Sequence, residues 1–287
     1  MPLPTKAIKR RISSVKSTRK ITKAMELVAA SKMRRAVEAA VASRPYSQYA
    51  WDMLTRMLRA TTEQVAHPLL ETREEGKTLV IVVTSNRGLC GGLNSNILRR
   101  TNELMATLTT PDFMSVGKKG DRALSKTGST LVASFVDIGD TPTYLFIAPI
   151  ARLAMDGFVK GTYNKVLMVY SEFVSAIAQK PTVRQILPLT VAAEASAAVE
   201  AEEEFLFEPS ADAVLETMIP RLVEVQLYQG MLEAAASEHS ARMVAMRNAT
   251  DAAKDMLDDL VFSWNRARQA SITKEIAEIS SGMTALT

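Results

Sequence analysis

The sequence predicts an α/β protein: a long antiparallel coiled coil of the N- and C-terminal helices, with a compact, mostly parallel α/β domain inserted between them. Three observations predict it. Glycine, which marks turns and weakens helices, is absent from residues 1–75, and ten of the twelve glycines fall between Gly76 and Gly161. The C-terminal part carries a sustained apolar repeat of helical spacing. The middle alternates apolar runs with helical stretches, in the manner of βαβ units.

The N-terminal helix is read from Ile8, Ile12, Val15, Ala29, Met33, Ala36, Ala40, Leu54 and Met57, with Arg19, Thr22 and Glu26 interrupting that phase and Ile21, Met25 and Val28 holding a second one. Pro45 should bend this helix without ending it, and His67 before Pro68 should mark its end. Five strands follow, at 77–85, 112–117, 130–138, 163–174 and 182–190, with helices at about 93–108, 118–127 and 146–160. These make a Rossmann-like domain. At the C-terminal end, steps of three and four from Leu215 reach Ser271 in seventeen positions, thirteen of them apolar, over about eight heptads. Ser210 is a suitable N-cap, Pro220 should kink the helix or mark its true beginning, and the stripe then shifts to Ile272, Ile276, Ile279 and Met283. The expected organisation is a shaft helix over 1–75, the α/β domain over 76–190, an acidic connection over 191–209 and a second shaft helix over 210–287. Two paired helices of this length should form a rod.

Composition narrows the function. The longest apolar runs fall far short of the ~18 residues of a membrane span, no signal peptide is expected, and one cysteine fits a reducing compartment. Two histidines and one cysteine, widely separated, do not make a conventional zinc site. The net charge of +4 hides an asymmetry: residues 1–35 hold eleven Lys and Arg against Glu26 alone, whereas residues 191–208 hold six glutamates and no base. So basic an arm suggests an acidic partner. The acidic stretch reads as a solvated connection.

The segment SNRGLCGGLN, Ser85 to Asn94, most resembles a site of chemistry. A P-loop would require lysine after its last glycine, and there is none. Gly88, Gly91 and Gly92 have the wrong spacing for a dinucleotide fingerprint, and GLCGG at 88–92 has no histidine within the domain to serve a cysteine nucleophile. A tight turn with positive φ and close backbone approach is the expectation, with Cys90 small and partly buried. His239 lies on the apolar seam and should be packed or hydrogen-bonded. The fifteen methionines read mostly as core filler, although Met25, Met243 and Met246 could form an adaptable surface. No catalytic, cofactor-binding or metal-binding constellation emerges from the residues.

RISSVKSTRKITKAMELVAASKMRRA (11–36), TSNRGLCGGLN (84–94) and SEHSARMVAMRNATDAAKDMLDDLVFSWNRARQASITKEIAEISSG (237–282) together resemble the γ-subunit family of F-type ATP synthases. The resemblance implies a central rotor: a coiled coil entering a ring of alternating α and β subunits, and an α/β domain beside the ε subunit and the membrane c-ring. Proton flow turns the rotor, which cycles the β subunits through ATP synthesis or hydrolysis, regulates ATPase activity and proton flow, and is not itself catalytic. It implies no cofactor, no nucleic acid, and a peripheral place on the cytoplasmic side of the cell inner membrane; the expected origin is bacterial. Contacts with the α and β ring are implied for Lys20, Lys23, Met25, Lys32, Arg35, Glu238, Arg242, Arg268, Gln269, Thr273 and Glu275. Phe205, Phe207 and Glu208 match the segment on the c-ring and ε side. Asn86 stands where many relatives carry aspartate, and SSGMTALT replaces the family's Gly-Ala-rich tip.

Two other readings remain from the residues. A coiled-coil nucleic-acid binder would explain the basic arm and predicts salt-dependent DNA binding. A nucleotide-dependent enzyme would need its ligand at Ser85–Asn94.

Overall fold

The structure, a computed structural model, describes residues 5–60, 67–73, 75–136, 139–189, 208 and 210–284. Its elements run α1 (Thr5–Ala60), β1 (Lys77–Val83), α2 (Leu93–Met105), β2 (Asp112–Val116), α3 (Lys118–Lys126), β3 (Leu131–Phe135), α4 (Tyr144–Val159), β4 (Tyr163–Phe173), β5 (Gln179–Leu187) and α5 (Ala211–Thr284). The five strands form one sheet in the order β3-β2-β1-β4-β5. Three of its pairings are parallel, and β4 with β5 is antiparallel.

The central strand β1 is buried after Lys77 and apolar from Leu79 on, because it is covered on both faces. Its odd positions, Leu79, Ile81 and Val83, join Met114, Val166, Met168 and Tyr170 against α4 and the segments of α1 and α5 that cross this face. Its even positions, Val80 and Val82, join Phe113 and Val169 against Leu93, Ile97 and Leu124 of α2 and α3. The sequence-expected strands are all present, with shifted ends. β1 stops at Val83; Thr84 still donates its N–H to Val116 O at 2.8 Å, and its hydroxyl accepts the Gly120 N–H at 2.7 Å. β5 begins at Gln179 rather than 182, extended by its ladder with β4. Pro181, which has no N–H to donate, is tolerated because β5 is an edge strand.

Two compact units arise by contact: Met1–Ala29 with Met243–Thr287, and Ala30–Arg242. This division cuts across both long helices, whereas the sequence organisation separates helices from domain. In the second unit α1 meets α5 where the Ser43 hydroxyl donates to Gln229 Oε1 at 2.5 Å and Gln229 Nε2 donates to Ala40 O at 3.3 Å. In the first, the Thr250 hydroxyl donates to Thr22 Oγ1 at 2.9 Å. Later residues of α1 thus meet earlier residues of α5, as antiparallel helices do. Pro45 and Pro220 both lie inside their helices. Ser210 caps α5, its hydroxyl accepting the Ala213 N–H at 3.3 Å.

The heptad seam of α5 is covered as its periodicity predicts, from Leu215 through Ala253, and remains half-covered to Ala267. The N-terminal seam needs a correction. Thr22, read as an interruption, lies on the seam and bonds to Thr250. Ile21 and Val28, read as a second buried phase, are 58% and 54% exposed. A 3–4 step from Ile8 through Val15, Thr22 and Ala29 keeps one face without a phase change, and a paired hydroxyl can fill a seam position.

Candidate functional site

The turn after β1 is held by its own polar groups. Asn94 Oδ1 accepts the Ser85 N–H at 3.1 Å, while Asn94 Nδ2 donates to Ser85 Oγ at 2.8 Å and to Cys90 Sγ at 3.2 Å. The Ser85 hydroxyl donates to Arg87 O at 2.6 Å, and Asn86 Oδ1 accepts the Lys118 N–H at 3.1 Å. A phosphate cradle needs several N–H groups free to converge on the ligand; here the Ser85 N–H is taken by Asn94 and the Leu93 N–H by Cys90 O at 3.3 Å. Positive φ falls at Gly91 (58°) and, less expectedly, at Leu89 (63°). Cys90 is only 2% exposed, more buried than the sequence reading had it. A close approach occurs at Gly117, φ 101°, where a Cβ would lie 2.1 Å from Thr84 O.

The outward-facing carbonyls of this turn receive Arg242 of α5. Its Nε and Nη2 each donate to Gly88 O at 3.4 Å, and Nη2 also donates to Arg87 O at 3.3 Å. Glu238, one helical turn earlier, accepts from Nη2 at 2.7 Å. Between them His239 is 4% exposed, as its seam position predicts. Its Nε2 donates to Asp140 O at 3.0 Å, leaving Nδ1 to accept from Arg242 Nη1 at 3.5 Å. Lys32 of α1 completes the group, 2.7 Å from the Asp140 carboxylate. That hydrogen bond, chiefly, holds the Asp140 pKa below the usual carboxylate value.

A buried ion cluster escaped the sequence reading. Glu233 of α5 accepts from Tyr170 OH at 3.1 Å and from Gln229 Nε2 at 3.0 Å. Arg44 and Arg184 approach its two oxygens at 3.6 and 3.7 Å. The Arg184 guanidinium also stacks over the Tyr170 ring at 5.1 Å. Burial, above all, raises the Tyr170 pKa, so the phenol stays a donor. The partners come from α1, β4, β5 and α5, separated by up to 189 residues between Arg44 and Glu233 (233 minus 44). The one available signal was an acid amid the apolar run MLEAAA.

The remaining expected contact residues fall into two groups on the helices. Lys20, Lys23 and Arg35 are exposed and Met25 is half-buried on α1, beside the exposed Ile21, Leu27 and Val28. Arg268, Gln269, Thr273 and Glu275 are exposed near the end of α5, with Ile272, Ile276 and Ile279. Glu208 is exposed. Phe205 and Phe207 lie outside the described residues.

Comparison with known proteins extends over the whole of this arrangement. The sequence profile described as ATP synthase matches residues 4–286. The chain is similar to the ATP synthase gamma chain of Roseiflexus castenholzii, 44% identical over 98% of each chain. It is also similar to that of Pelotomaculum thermopropionicum, 45% identical over 97% of this chain and 98% of the relative. Among solved structures, a chain of the Tetrahymena thermophila mitochondrial ATP synthase central stalk and c-ring aligns with a TM-score of 0.62 and 27% identity. That alignment covers 80% of this chain and 99% of the other. A chain of the Euglena gracilis mitochondrial ATP synthase rotor, 20% identical, shares the fold with a TM-score of 0.66 over 93% and 98%.

Proposed function

The chain belongs to the ATP synthase γ-chain family, and from that premise we propose that it is the central rotor shaft of a proton-translocating F-type ATP synthase. The observation that carries this reading is the full-length match to gamma chains, at 44% and 45% identity. The α1–α5 pair would stand within a ring of α and β subunits, and the α/β domain would meet the ε subunit and the c-ring. Chemistry would belong to the β subunits. The shaft acts by differential binding: an asymmetric surface that fits one conformation of β better than another shifts that subunit's equilibrium by the difference in contact energy.

The exposed faces of the helices support this reading. Exposed Lys20 and Lys23 beside exposed apolar side chains, and exposed Arg35 further along α1, suit an acidic, partly apolar lever on β. Arg268, Gln269, Thr273 and Glu275 would meet the ring at the other end of its bore, and Phe205, Phe207 and Glu208 would face the c-ring and ε. Lys32, Glu238 and Arg242 belong to the same motifs but are engaged within the chain. Among the described residues no helix is long and apolar enough to cross a membrane. The chain would therefore reach the cell inner membrane through its complex, peripherally and on the cytoplasmic side.

The test is reconstitution. The cognate α and β subunits should hydrolyse Mg-ATP with this chain assembled among them, and a bead on an engineered surface cysteine should turn in one direction. Cys90 is too buried to carry the bead. ATP hydrolysis by the chain alone, or assembly without rotation, would overturn the proposal.

A further inference from the structure

In open α/β sheets, ligands bind outside the carboxyl ends of the strands, at the point where the strand order reverses. In this sheet that point lies between β1 and β4: the chain leaves β1 toward α2 and β2 on one side, whereas β4 is reached through α4 from the opposite face. The crevice is bounded by the turn after β1 (Thr84–Gly92) and by the hairpin between β4 and β5 (residues 174–178). One turn of α5 occupies it.

Ser240, fully buried, donates from its hydroxyl to Ala176 O of the hairpin at 2.5 Å and accepts from Gln179 Nε2 at 3.1 Å. Ala241 packs on the cluster of Cys90, Leu93, Ile97 and Val169 beneath the β1 turn. Arg242 grips the carbonyls of Arg87 and Gly88. His239 bonds the carbonyl of Asp140, in the segment that follows β3, and Lys32 of α1 holds the same residue's carboxylate. Both long helices therefore meet the α/β domain at the carboxyl ends of its strands, where a nucleotide would sit in a Rossmann-like enzyme.

We infer that this crevice is a mechanical seat. Residues His239–Arg242, together with the Lys32–Asp140 pair, lock the adjoining turns of α5 and α1 onto the α/β domain, so that torque on the domain passes into both helices without slip. The inference rests on the rotor reading above. It assigns Lys32 and Arg242 a positioning role inside the chain, distinct from contact with an acidic ring surface. Their neighbours in the seat carry that distinction: Ser240 is fully buried and can touch no ring subunit.

A charge swap in the assembled, vesicle-reconstituted complex tests it, with ATP-driven proton uptake per ATP hydrolysed as the readout. Lys32→Asp and Asp140→Lys should each lower that ratio by about twofold to fivefold, the population change that loss of one partly exposed ion pair produces. The double variant should regain it. Were Lys32 instead paired with an acidic surface of the ring, the double variant would be no better than Lys32→Asp, and the seat would be refuted. Ser240→Ala gives an independent arm that does not touch charge. It should lower the ratio while rotation persists, and an unchanged ratio would also refute the seat. Failure of the wild-type chain to couple at all would instead sink the rotor reading.

Discussion

His67 shows how one side chain can link pH to stability here. Its Nδ1 accepts the Leu69 N–H at 3.2 Å, closing a turn that places Leu69, 2% exposed, in the core. Protonating Nδ1 would destroy that acceptor. Burial lowers the His67 pKa from its ordinary 6.5, partly opposed by the Glu216 carboxylate. The folded chain therefore binds fewer protons at this site than the unfolded chain does, and stability must rise with pH across the interval between the two pKa values. The contribution is complete above pH 6.5 and is lost as pH falls through that value toward the lowered folded pKa. Urea midpoints measured from about pH 8 to about pH 5 should drop below the ordinary histidine pKa. His67→Gln should flatten this drop, and a variant with the wild-type slope would contradict the account.

At the scale of elements, the Glu233 cluster decides how α5 lies on the sheet. Glu233 approaches both Arg44 and Arg184, and its side chain is 6% exposed. Glu233→Leu would keep the apolar packing but leave Arg184 and the buried Tyr170 hydroxyl without their acceptor. The arginines left behind are partly exposed, so the main loss is the orphaned Tyr170 hydroxyl, which costs about 1–3 kcal/mol. Arg44, 44% exposed, can turn to water, so Arg44→Ala should cost below about 1 kcal/mol. Urea unfolding of the full chain reads both, and equal losses would mean that the cluster is not organised around Glu233. The cluster also marks where the sequence stopped being legible. Runs such as LVIVV report their own burial, because covered strands are apolar along their length, and the repeat from Leu215 reports its seam. A lone glutamate reports nothing about arginines and a tyrosine that only the fold brings to it. Arg242 was visible as part of a motif, but its use, gripping carbonyls 154 and 155 residues away, was not. Thr22 misled for the converse reason: its polarity is satisfied by a partner 228 residues distant.

For the whole molecule, the question is which surface is complete without partners. Thr22 lies opposite Thr250, so paired indices sum to 272 and Thr5, the first residue of α1, lies opposite 267. The exposure pattern agrees: the α5 seam is half-covered at Leu257, Leu260, Trp264 and Ala267, and every residue from 268 to 281 is exposed. Beyond that point α5 runs without α1 beside it, carrying Ile272, Ile276 and Ile279 at 47%, 62% and 72% exposure. This end only extends a helix already formed, but propagation in water is close to neutral for each residue, so without tertiary packing it frays. In the free chain, amides beyond 267 should therefore exchange with solvent far faster than those around Thr250, where the seam is closed. Assembly with the α and β subunits should slow them by about tenfold or more, the apolar stripe then being covered. Exchange in the free chain as slow as at Thr250 would mean that the end of α5 is stabilised from within. The same exchange before and after assembly would mean that the ring does not cover the stripe. In either case the ring would not be what orders this stripe.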